Sequence, residues 1–118
     1  RRDKMAEFVS KLKLPGDTDT YSISPEIKKY TLLDLGFEQS ARGVYTYLGS
    51  LDRQNPFKPV ARLKIRINPE MTGFKMETVN TNGFREVNIF KHPRADELTT
   101  QYHFILNEMV ERHIFDRQ

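Results

Sequence analysis

The chain has 118 residues, 37% of them hydrophobic and 30% charged, with no Cys and no Trp, a length and balance that suit one compact domain. The lack of Cys excludes disulfides, thiolate nucleophiles, persulfide carriers and Cys-ligated zinc or iron–sulfur centres. The formal charge of +3 comes mostly from Arg1, Arg2 and Lys4, offset there only by Asp3, so the rest of the chain is close to neutral and net basicity says little about partners.

Residues 1–4 read as an expression remnant or loose extension ahead of Met5-Ala6, leaving residues 5–118 as a single α+β domain. No apolar run is long enough to cross a membrane and no secretory signal is visible, so a cytoplasmic location is expected. Residues 8–14 alternate in the manner of a half-buried strand, closed by Pro15-Gly16-Asp17, and Tyr21-Ser22-Ile23 reads as the return arm of a hairpin. Ser24-Pro25-Glu26 carries helix-start chemistry, with Ser24 as N-cap and Pro25 at the first helical position. That helix is expected to reach Leu35, where Gly36 supplies a left-handed C-terminal residue and Phe37 packs back on Leu32. Its broad apolar face, from Ile27, Tyr30, Leu32, Leu33 and Leu35, predicts a helix gripped closely by the sheet.

From Phe37 to Lys91 the period changes to two, predicting strands at 37–39, 44–48, 60–67, 74–80 and 84–91. Short connections, including the hairpin pair Asn82-Gly83, require antiparallel neighbours. The segment from Pro93 to about Phe115 is the clearest helix, with Leu98, Tyr102, Ile105 and Met109 recurring along one face. The predicted fold is α+β, a curved antiparallel sheet of about five to six strands with two helices on one face, in the order β(β)-α-β(4-5)-α.

No catalytic, metal-ligating or cofactor-binding residue is assigned. No G-x-S-x-G, P-loop or G-x-G-x-x-G occurs. His103 and His113, ten positions apart on one helix, are separated by roughly 15 Å along its axis and cannot share a metal with each other, and His92 sits beside Pro93. Asp17-Thr18-Asp19 resembles part of a calcium loop but lacks the later ligands and reads as a turn.

Three surface signals remain. In the strand at 60–67, Ala61, Leu63, Ile65 and Ile67 face inward, and Arg62, Lys64 and Arg66 form an outward cationic stripe about 14 Å long. With Lys58, Arg53, Tyr45 and Tyr47 nearby, the stripe suits phosphates on its cations and a base stacked on a ring. The alternative is half of a cross-strand charge ladder completed by Lys75, Glu77 and Glu86. The connection at 50–59 is long enough to carry function, while Leu51 and Phe57 would equally pin it to the core. A cavity lined by Tyr102, Ile105, Met109, Phe74 and Met76 would suit an apolar small molecule, and these residues read equally as plain core.

The strings from Tyr21 to Leu32, Gly73-Phe74-Lys75-Met76 and Val87-Asn88-Ile89-Phe90-Lys91 together resemble a family of uncharacterised proteins from lactic-acid bacteria and relatives, classed as a domain of unknown function. The resemblance covers nearly the whole chain from Met5 and transfers no catalytic residue. It implies a TATA-binding-protein-like α+β fold. It also implies gene neighbours that encode a cysteine desulfurase and a tRNA-thiolation enzyme, and hence an accessory role in sulfur transfer or tRNA modification. A chain without Cys would serve there by binding or positioning a protein partner. The expected function is therefore a non-enzymatic binding or adaptor module, with RNA binding by the cationic strand and small-molecule binding under the last helix as alternatives.

Overall fold

The computed structural model describes residues 8–118; the expected extension at 1–4 lies outside them. Seven short strands, β1 (Lys11–Leu12), β2 (Tyr21–Ile23), β3 (Glu38–Gln39), β4 (Tyr45–Ser50), β5 (Arg62–Ile67), β6 (Phe74–Val79) and β7 (Phe115–Arg117), accompany helices α1 (Lys29–Asp34) and α2 (Ala95–Glu111). In place of one sheet of five to six strands there are two antiparallel sheets, ordered β1-β2-β7 and β3-β4-β5-β6. Among the described residues one bridge stitches them, where the backbones of Val9 and Phe74 exchange hydrogen bonds of 3.0 and 2.7 Å.

The alternating apolar side chains of β5 and β6 meet α2 in the core. Leu63, Ile65, Ile67, Phe74 and Met76 share one buried cluster with Leu98, Tyr102, Ile105, Leu106 and Met109. Asp96 and Glu97 lie in the first turn of α2, where its positive end favours them. The helix is shorter than its periodicity predicts. His113 adopts φ +64°, and the amides of His113 and Ile114 bond back to the carbonyls of Val110 and Met109 at 3.1 and 2.8 Å, which closes the helix and frees Phe115 for β7.

Two other expectations are corrected. Ser24 does not cap a helix; its hydroxyl accepts the Glu26 amide at 3.1 Å within a turn, and α1 begins five residues later. Only Leu32 of α1 is buried and Tyr30 is 79% exposed, so the sheet does not grip this helix. Its C-terminal end forms as predicted, with Gly36 at φ +103° and the Phe37 amide bonded to the Leu32 carbonyl at 3.0 Å. The predicted strand at 84–91 is absent. The Asn88 side chain caps the Phe90 amide at 3.0 Å and winds residues 89–91 into a 3-10 turn, leaving one bridge between Glu86 and Val79.

Candidate functional site

The register of β4, β5 and β6 fixes which side chains share a face. Arg66 lies opposite Thr46 and Lys75, Lys64 opposite Leu48 and Glu77, and Arg62 opposite Ser50 and Val79. The outer face thus collects Arg62, Lys64, Arg66 and Lys75 against Glu77, with Glu86 one strand further out through its bridge to Val79 and Glu38 on the other margin opposite Thr46. The ladder is incomplete, because one rung pairs opposite charges and the next pairs two cations. Among the described residues, ion pairs within 4.0 Å lie elsewhere, at Arg94, His103, Arg112 and His113.

Lys75 registers the resulting field. Its ammonium is held below the ordinary lysine range, first by burial and then by the Arg66 charge, which outweighs the opposing pull of Glu77. Its Nζ sits 4.9 Å from the centre of the Phe8 ring, so part of its compensation comes from an aromatic face.

Tyr45 and Tyr47 do not join the stripe. They stand opposite Ile67 and Ile65 on the inner face, where Tyr45 is buried and Tyr47 packs on Phe37 at 5.4 Å between ring centres. Neither ring can stack a base beside Arg62, Lys64 or Arg66. The inward placement of Tyr47 accounts for Gly49, since a Cβ there would meet the Tyr47 hydroxyl at 2.5 Å.

The loop at 50–59 is pinned through a residue that composition alone made unremarkable. Asp52 is fully buried, and its two oxygens accept the amides of Gln54, Asn55 and Val60 at 3.0, 3.3 and 3.1 Å. The same carboxylate takes a two-point contact from Arg94, which also binds Glu97 at 2.7 Å. Arg94 therefore holds the Asp52 carboxyl at about 2. With Leu51 also buried, the loop is anchored at its start, while Arg53, Phe57 and Lys58 project outward.

Phe57 is 91% exposed and Phe84, at the tip of the 80–85 turn, 93%. Both loops leave their strands at the rung of Ser50, Arg62 and Val79, and the Thr81 hydroxyl bonds to the Pro59 carbonyl between them. Two open aromatic rings thus flank one end of the cationic stripe. The sequence places Lys75 in the charge ladder and Phe84 at the start of a strand after Asn82-Gly83; what it leaves out is that the Phe84 ring stands open at the turn.

The five residues expected to line a cavity under α2 pack against one another in the core, each no more than 9% exposed. A cavity of about 130 Å³ opens instead beside β6, bordered by Leu14, Pro15, Glu77, Glu86 and Phe90. No helix among the described residues is long and apolar enough to cross a membrane.

Comparison with known proteins agrees with this architecture. Residues 5–116 match the model of the DUF1831 family, described as putative amino acid metabolism. A crystal structure of a DUF1831 protein from Lactobacillus plantarum superposes with a TM-score of 0.87 at 41% identity, covering 94% of this chain and 97% of that one. No curated protein matches. From its N-terminal hairpin to its last strand, the chain belongs to the DUF1831 family, a family of unknown function.

Proposed function

We propose that the protein is a non-enzymatic, cytoplasmic binding module that docks an acidic protein surface on the outer face of β4, β5 and β6. The observation that carries this reading is the register that gathers Arg62, Lys64, Arg66 and Lys75 at the centre of one face, with Glu77 opposite Lys64 and with Glu38 and Glu86 at its two margins. Charge of this kind steers association and fixes orientation, and exposed aromatic side chains supply the anchoring contact where a partner buries them. Phe57 and Phe84 are placed for that role.

The family description, putative amino acid metabolism, supplies a metabolic setting for such a module. Within it, the narrower role is accessory to sulfur transfer or tRNA thiolation, in which a chain without Cys positions a partner and does not carry the sulfur. Affinity capture with the wild-type chain and the Arg62/Lys64/Arg66→Ala variant tests the docking reading. The expected result is an acidic partner that binds the wild-type chain directly after purification, is released by salt and is lost with the variant. A partner retained equally by the variant overturns the assignment of this face.

RNA is the second reading, favoured by the two open Phe rings beside the stripe. It predicts a mobility shift with tRNA at low ionic strength that falls steeply as salt rises and weakens in Phe57→Ala and Phe84→Ala. Absence of a shift at low salt removes it.

A further inference from the structure

Asp17 is the second deeply buried carboxylate, and unlike Asp52 it meets no arginine within ion-pair distance among the described residues. Its Oδ2 accepts the Tyr102 hydroxyl at 2.8 Å, and its Oδ1 accepts the Asp19 amide at 3.2 Å. The same Oδ1 lies 3.2 Å from Nε2 of His103, and that nitrogen lies 3.9 Å from Oδ2 of Asp19. One donor atom from each of Asp17, Asp19 and His103 lies within 4.8 Å of the other two. A metal bound at about 2.0–2.2 Å by imidazole nitrogen and carboxylate oxygen holds neighbouring donors roughly 3.0–3.4 Å apart. Asp17 is fixed at that spacing, and Asp19, on a part-exposed loop, needs only a small turn to reach it.

An independent observation comes from β2. The Tyr21 hydroxyl is buried without a hydrogen-bond partner among the described residues. Tyr21 follows Asp19 by two residues, and Arg117, its partner across β2 and β7, gives the hydroxyl no hydrogen bond. A buried hydroxyl left unpaired costs about 1–3 kcal/mol, a cost removed when an ordered water reaches it. A simple ion pair explains less of this arrangement, because two carboxylates converge on one imidazole nitrogen that can serve only one of them.

We propose that Asp17, Asp19 and His103 form a binding site for a divalent transition-metal cation, with Tyr102 positioning Asp17 and a metal-bound water reaching the Tyr21 hydroxyl. Imidazole with two carboxylates suits zinc, manganese or iron(II) better than calcium or magnesium, which favour all-oxygen shells. The site is built by tertiary contact between the turn after β1 and the middle of α2, and it is separate from the cationic face.

The test is titration of the chelator-treated full chain with zinc chloride by calorimetry and with cobalt chloride by visible absorption, with magnesium and calcium chlorides alongside. The expected result is one zinc per chain, cobalt d–d bands, a raised melting temperature with zinc, and little response to magnesium or calcium. His103→Gln and Asp19→Asn, at part-exposed positions, are expected to weaken zinc binding roughly tenfold or more with unchanged circular dichroism. If either variant fails to fold, the imidazole nitrogen resonances of His103 in the wild-type chain decide. A shift on zinc addition supports the site, and unmoved resonances overturn it. Absence of zinc binding at millimolar metal, or affinity unchanged in both folded variants, also overturns it.

Discussion

The Asp52 carboxylate meets the Arg94 guanidinium at two points, Oδ1 to Nη2 at 2.7 Å and Oδ2 to Nη1 at 3.3 Å, fastening a loop between two strands to the start of α2. Neutralising Asp52 removes a buried charge-assisted contact and weakens three amide bonds of the loop, while Arg94 keeps Glu97 as its partner. Asp52→Asn is therefore expected to move the urea midpoint down strongly. The Arg62/Lys64/Arg66→Ala variant, altered only on the solvent face, is expected to unfold close to the wild-type midpoint.

The same pair sets an acid limb. Arg94 holds the Asp52 carboxyl at about 2, against an ordinary value of 3.8. A group whose folded pKa is depressed contributes stability that is complete above its unfolded value and lost as pH falls through the folded one. The difference in melting temperature between the wild-type chain and Asp52→Asn should be constant above about pH 5 and shrink between about pH 4 and pH 2. Melting curves of both proteins across that range measure it, and a difference that persists at pH 2 would contradict the assignment.

Gly49 faces inward beneath the Tyr47 ring, and an added Cβ would lie 2.5 Å from its hydroxyl and 2.7 Å from ring carbons. Gly49→Ala is expected to destabilise by about 1–3 kcal/mol, the usual cost of overpacking. Because the clash is with one side chain, Tyr47→Leu combined with Gly49→Ala should lose less than the two single variants together, a coupling that a double-mutant cycle reads directly.

His113 occupies a left-handed conformation that favours glycine, at φ +64°. Its side chain is exposed, with Glu26 4.0 Å away. His113→Gly is expected to raise stability by about 0.5 kcal/mol, relief of backbone strain outweighing the entropy glycine adds to the unfolded chain. A lower melting temperature would show that the imidazole contributes more than its exposed contact suggests.

The sequence was most legible where one period ran uninterrupted. β5, β6 and α2 emerged because Leu63, Ile65 and Ile67, or Leu98, Tyr102, Ile105 and Met109, bury on one face at the spacing their element dictates. The end of α2 was hidden because His113 takes the place of the glycine that announces such an ending, and β7 was hidden with it. The helix-like apolar run around Tyr30 and Leu33 misled because both side chains face solvent. The cationic stripe was readable from alternation within one strand, but Lys75 and Glu77 acquired their roles only through register with that strand. Asp17 with His103, and Asp52 with Arg94, join residues far apart in sequence, and no local pattern encodes either meeting.

The pairing of β2 with β7, Tyr21 against Arg117, has a consequence in time. Strands β3 to β6 are sheet neighbours in the order in which they are made, so the pairings of this half are local in sequence. The hairpin of β1 and β2 is marginal alone and must wait for a strand almost a hundred residues later, at the loop-closure cost that such a separation carries. The last strand thus completes the sheet that the first hairpin begins.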